Sequence, residues 1–302
     1  MLVRTIAFIL ALYTAPLGAD SVCPSTAEPI PAPTIAVKHS TGLLWRVDNP
    51  GIPSSYLFGT IHLEDRRVLE LPPAVEQAFV EADRLAVEID LQPQAMAQLS
   101  EAMAFTSGGT LEEVITGPLY QRLADLVDSH YGLSHELLAT LKPWAVFTVL
   151  SRPRPQTGKV LDQILQDRAR ALDKPVYGLE SAAELVEVLD GMPMADQVAI
   201  LKDTVCNYDE IIGQIDALTR NYLDRDLQGM VALNNQSHDD EALFDRLMER
   251  VLYQRNARIL DRLETHLQAG NAFIAVGALH LPGDRGLLSG LERRGYRVVA
   301  EY

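Results

Sequence analysis

Two apolar runs near opposite ends of the chain close on the same short pattern. Tyr56-Leu57-Phe58 leads into Gly59-Thr60-Ile61-His62, and Ala272-Phe273-Ile274-Ala275-Val276 leads into Gly277-Ala278-Leu279-His280. A short apolar run bounded by glycine reads as a buried strand. Each histidine therefore falls just past a strand end. Distant in sequence but alike in setting, the two are expected to form halves of one imidazole-lined site. Gly59 and Gly277 are expected to free the backbone at these exits, by a positive φ or by close approach to a ligand.

The remaining pattern alternates strands with helices. Gly42 to Val47, a turn at Asn49-Pro50-Gly51 and Ser55 to Ile61 read as a β-hairpin. Pro72-Pro73 opens a helix to Ala82, followed by a strand from Arg84 to Asp90. Leu161 to Leu172 is amphipathic, Lys174 to Gly178 is a short strand, and strand 272–276 precedes a helix from Gly286 to Arg294 and a strand from Tyr296 to Ala300. Such an order predicts an α/β fold: a mixed central sheet flanked by helices, with a large helical insertion or cap. The helical insertions span about 93–150 and 182–270, too long for simple crossovers.

Residues 1–19 have the features of a signal peptide: Arg4, an apolar stretch from Ile6 to Tyr13, and small residues at Gly18-Ala19. Residues 20–41 read as an extended proline-bearing arm, leaving 42–302 as the α/β domain. The apolar stretch is too short to span a bilayer, so an exported protein, periplasmic or secreted and without a stable membrane span after cleavage, is expected. A formal charge of -15 repels nucleic acid over most of the surface, and no nucleic-acid partner is expected. In an oxidising compartment the two cysteines, Cys23 and Cys206, have the opportunity to pair, tying the arm to a distant helix.

Four strand ends present His62, Glu88, Glu180 and His280, and ligands of open α/β sheets bind beyond the carboxyl ends of strands. Around Glu88, Leu85, Val87 and Ile89 alternate with Ala86, Glu88 and Asp90, giving one apolar and one acidic face. A carboxylate in a central strand needs a cation or a proton. His62, His280 and Glu88 make up a ligand set suited to divalent Mn, Co, Zn or non-haem Fe. Such an ion would bring the pKa of water toward about 7. Glu180 is the candidate general base or further ligand. Asp162 reads as a helix-side anchor or as a first-turn acid favoured by the helix dipole. Arg255-Asn256 reads, from its residues alone, as part of a solvated helix face. His39, His130, His135, His238 and His266 are expected on loops or polar helix faces.

In order along the chain, Leu57-Phe-Gly-Thr-Ile-His62, Leu85-Ala-Val-Glu-Ile-Asp90, Leu161-Asp162, Lys174 to Glu180, Arg255-Asn256 and Ala275-Val-Gly-Ala-Leu-His-Leu-Pro-Gly283 resemble the motifs of the TraB/GumN family. The resemblance covers about residues 42 to 302. That family includes the TIKI proteins, metal-dependent proteases acting on secreted Wnt proteins. Its wider superfamily is similar to erythromycin esterase and the haem-binding ChaN proteins. The resemblance implies His62, Glu88 and His280 as catalytic or metal positions, Glu180 next, and Arg255 and Asn256 in support. The resulting expectation is an exported metal-dependent hydrolase, peptidase-like, with a peptide or small-molecule substrate. The alternative is a non-enzymatic haem- or ligand-binding envelope protein of the same fold.

Overall fold

Strands β1 (Leu44–Asn49) and β2 (Ile52–Thr60) form the expected hairpin, with Leu44 opposite Phe58 and Asn49 opposite Ile52. Gly51 turns the chain at φ +79°, in the left-handed region that glycine tolerates at such a corner. This computed structural model describes residues 22–23, 36–153, 158–235 and 240–302. The expected signal peptide, most of the arm, Arg154, Pro155 and His238 lie outside the described residues.

β3 (Arg84–Ile89), β4 (Val176–Glu180), β5 (Ala272–Gly277) and β6 (Arg297–Ala300) complete a six-stranded sheet of order β4-β3-β5-β2-β1-β6. β2, β5, β3 and β4 run parallel, while β1 is antiparallel to both β2 and β6. The sheet is therefore mixed, and its four parallel strands end on one edge. β4 begins later than expected and runs on to Glu180, which puts that residue at the strand's carboxyl end.

Strands β5 and β3 are covered on both faces. All five apolar residues of β5 from Ala272 to Val276 are fully buried. β3 departs from the expected two-faced alternation, because Ala86 is as buried as Leu85. Helices on either side leave no water-facing surface there, as is usual for parallel strands. These layers include helices Pro73–Glu81, Leu161–Ala171, Gln254–Ala269 and Leu287–Arg293. Their inward residues, among them Phe79, Leu165, Leu263 and Leu288, share one core with the sheet.

A second core lies wholly among helices. Leu123, Val127, Trp144 and Leu201 pack together from Gly117–Tyr131, Pro143–Leu150 and Met194–Cys206. Each fully buried leucine of this kind contributes roughly 1.5–3 kcal/mol relative to exposure. This is the expected cap, with one correction to its extent. The 182–270 block divides: Tyr222, Leu227 and Met230 already belong to the sheet's core, as does Gln254–Ala269. Cys23 and Cys206 are disulfide-bonded, with Cα atoms 5.3 Å apart, joining the N-terminal arm to the cap.

Candidate active site

The sheet register explains why residues far apart in sequence converge. Thr60 of β2 lies beside Gly277 of β5, Val87 of β3 beside Ala275, and Ile89 beside Glu180. His62 and His280 therefore leave neighbouring strands at the same level, with Glu88 on the strand next door.

Each histidine is fixed through its Nδ1 atom. His62 Nδ1 lies 2.8 Å from Asp162 Oδ2, and Thr60 donates its hydroxyl to Asp162 Oδ1 at 2.7 Å. Both readings of Asp162 hold: it stands in the first turn of helix Leu161–Ala171 and from there anchors His62 and Thr60. His280 Nδ1 lies 2.5 Å from Asn256 Oδ1, while the Asn256 amide donates to the Arg285 carbonyl at 2.9 Å. With its amide nitrogen so engaged, Asn256 offers an acceptor, and His280 must carry its proton on Nδ1. In both rings Nε2 is then the atom left for chemistry, an arrangement typical of metal-ligating or acid–base histidines.

His280 is buried, whereas the side chain of His62 is 52% exposed. Their titration is driven apart. Burial lowers the pKa of His280 to about 4, with Arg255 and His62 adding to the effect and Glu88 opposing it. Burial also pulls on His62, but the charge and hydrogen bond of Asp162, with help from Glu88, outweigh it and leave the pKa raised. At neutral pH His280 is a neutral base, and His62 holds a proton more readily than an ordinary imidazole.

Glu88 accepts from the Gly277 N–H at 2.6 Å and from Arg255 Nη2 at 2.5 Å. Burial disfavours its charge, yet His280, Arg255, His62 and the Gly277 N–H hold its carboxyl well below the usual range. Arg255 also donates Nε to Glu180 Oε2 at 2.8 Å, so one guanidinium spans both acids. The cation demanded by a central-strand carboxylate is thus supplied by the chain itself. The solvated reading of Arg255-Asn256 is overturned, since both are buried and face the site. A π-helical turn, Glu249–Tyr253, immediately precedes Gln254–Ala269, and such turns re-phase a helix and often accompany sites.

Glu180 is fully buried, with Arg258 Nε 3.6 Å from Oε1 as a further cation. Gly59 and Gly277 serve close packing rather than positive φ, a Cβ on Gly277 falling 3.2 Å from Glu88 Oε1. Thr60, Arg258 and Tyr222, whose hydroxyl donates to the Gly59 carbonyl at 2.9 Å, escaped sequence reasoning. Thr60 sits inside the first Gly-x-x-His motif and Arg258 one helical turn from Arg255, which are usable signals. Tyr222 has none.

His39, His130 and His266 stay away from this cluster but are less exposed than expected, whereas His135 is exposed. His39 edges onto Trp45, His130 stacks on Tyr208, and His266 lies against Tyr177 with its pKa lowered by burial.

The donors fit a divalent ion in chemistry. His280 Nε2, carrying a lone pair, lies 3.8 Å from Glu88 Oε2, and two acceptors at this separation favour a cation between them. Among the described residues, however, no three His, Cys, Asp or Glu side chains are gathered closely enough to hold a metal ion.

A mixed α/β sheet with histidines and acids at the carboxyl edge of its parallel strands defines a class of ligand-binding or catalytic α/β proteins. Residues 43–300 match the TraB/PrgY/gumN family model, and the chain belongs to that family. It is 25% identical to metalloprotease TIKI2 of Danio rerio over 87% of this chain and 62% of that protein. It is 23% identical to metalloprotease TIKI1 of Homo sapiens, covering 84% and 61%. Protein YbaP of Shigella flexneri is 28% identical over 79% of this chain and 88% of its own length. The chain thus spans about three fifths of its TIKI relatives. No solved structure matches it. Among the described residues no helix is long and apolar enough to cross a membrane.

Proposed function

We propose that the protein is an exported metal-dependent hydrolase, peptidase-like in its chemistry. One observation carries the reading: both histidines are anchored through Nδ1, leaving Nε2 free, with Glu88 3.8 Å from the buried one. The metalloprotease names of the TIKI relatives support the same reaction class. His62, His280 and Glu88 would hold a divalent ion, whose chemistry is Lewis acidity and the acidification of a water. Glu180, first expected as base or extra ligand, is sealed from water and acts instead to hold Arg255 against Glu88. Export is supported by the N-terminal sequence and by the Cys23–Cys206 bond, which belongs to oxidising compartments.

The test is direct. Purified mature protein is expected to carry a divalent metal and to cleave members of a peptide library, with both properties lost in His62→Ala and His280→Ala. Equal metal content and equal cleavage in wild type and both variants would sink the proposal. The non-enzymatic alternative draws on a cavity of about 540 Å³ beside His62. Incubation with haemin followed by a visible absorption spectrum separates it, because stoichiometric uptake without turnover would favour that reading.

A further inference from the structure

The cavity beside His62 is walled by the segment after β2, by the ends of helices Gly117–Tyr131 and Pro143–Leu150, and by helix Tyr208–Leu223. Most charges on its wall are accounted for. Asp65 pairs with Arg67 at 2.6 Å, Arg66 with Glu70 at 2.7 Å, and Glu64 accepts from the Gly158 N–H at 3.0 Å. Arg152 is different. Its carbonyl accepts from the Tyr131 hydroxyl at 2.9 Å, but its guanidinium has no ion pair among the described residues. Arg152 is an exposed residue that lines the cavity, yet the protein around it lowers its pKa by desolvation, with no acid counteracting the shift. Asp216 also lines the cavity, but it is exposed and exerts no such effect on Arg152. The Arg152 charge does reach His62, where it opposes the proton.

A partly desolvated guanidinium without a partner is a poor arrangement unless an anion completes it. Arg offers a planar fork of donors that matches a carboxylate. Nearby Glu64, Asp65 and Asp216 disfavour a dianion such as phosphate and leave a monoanion as the better guest. We propose that Arg152 anchors a substrate carboxylate, from a chain terminus or from an Asp or Glu side chain, in the cavity beside His62. The term substrate rests on the hydrolase reading, but the binding claim does not.

The experiment measures binding without requiring turnover. The mature protein is titrated with acetyl-Ala-Ala-Ala, with its C-terminal amide, and with the amide of acetyl-Ala-Glu-Ala, following the His62 imidazole resonances by NMR. At least one carboxylate-bearing peptide is expected to bind about 10-fold or more tighter than the neutral amide, since hydrogen bonds to charged groups have that worth. Whether the terminal acid or the Glu peptide gains the preference identifies the source. In Arg152→Gln the preference is expected to vanish, and in Asp216→Asn to grow. Arg152→Met serves if the glutamine variant fails to fold. No preference in wild type, no binding of any peptide, or an unchanged preference without Arg152 would each overturn the inference. Carboxylate-selective binding with no cleavage would spare it while defeating the hydrolase reading; cleavage indifferent to carboxylates would do the reverse.

Discussion

Asn256 Oδ1 lies 2.5 Å from His280 Nδ1, and that single contact fixes which nitrogen of a buried imidazole faces Glu88. Both residues are almost completely buried, so no water takes over if the amide is lost.

Asn256→Leu is therefore expected to act on the site twice. Removing an outer hydrogen-bond partner of this kind typically costs about 10–100-fold in metal affinity or activity. Leaving His280 Nδ1 unsatisfied adds a loss of about 1–3 kcal/mol in stability. Urea unfolding and metal titration measure the two separately, and the imidazole ¹⁵N shifts of His280 report the tautomer. An unchanged tautomer in the variant would refute the positioning role.

Arg255 carries a heavier structural duty. Its Nη2 lies 2.5 Å from Glu88 and 2.7 Å from Glu180, so one truncation strands two buried acids. Arg255→Met is expected to destabilise the fold by about 3–5 kcal/mol, the usual cost of breaking a buried pair from one side. Adding Glu88→Gln and Glu180→Gln to that variant is expected to recover part of the loss. Additive losses in denaturant unfolding would mean that the guanidinium does not couple them.

These two residues also mark where sequence reasoning stops. The hairpin, the parallel strands and the strand-end positions of His62, Glu88 and His280 follow from apolar runs closed by glycine, because burial of a strand leaves a periodic trace. Arg255 and Asn256 leave no such trace. A charged pair on a helix ordinarily meets water, and only the acids brought in by β3 and β4 make a buried Arg favourable. The same holds for Asp162, whose partner lies 100 positions away. The cap is smaller than its helical spacing suggests for a related reason: Tyr222, Leu227 and Ile259 have ordinary helical spacing whichever core they enter.

Acid should weaken the fold through Glu184. Its hydrogen bonds to Arg262 and Ser181 outweigh partial burial and hold its carboxyl well below the usual range. A depressed carboxylate contributes stability at pH values above its unfolded pKa, near about 4.3, and loses it as pH falls toward the folded value. Because the pair is partly exposed, the contribution is set at no more than about 1 kcal/mol. Unfolding midpoints measured from pH 6 down to 3 are expected to fall below pH 5, and the fall is expected to be shallower in Glu184→Gln. Parallel curves would exclude Glu184 as a contributor.

The two motif glycines separate packing from chemistry. A Cβ on Gly59 would lie 2.8 Å from Leu281 Cδ1 and 3.1 Å from the Ala278 Cα. Leu281 is fully buried and Ala278 belongs to the short 3-10 turn Ala278–His280, so neither has room to withdraw. Gly59→Ala is expected to cost about 1–3 kcal/mol, as overpacking of a tight core does. On Gly277 the added carbon meets Glu88 Oε1 at 3.2 Å, an atom at the end of a side chain that can shift by tenths of an ångström. That shift lengthens the bond from the Gly277 N–H and moves the carboxylate relative to His280. Gly277→Ala is thus expected to unfold near the wild-type midpoint while losing most peptide cleavage, and Gly59→Ala to show the larger fall in midpoint. If the two variants ranked in the opposite order for stability, the close approach at Gly59 would not be what the first motif preserves.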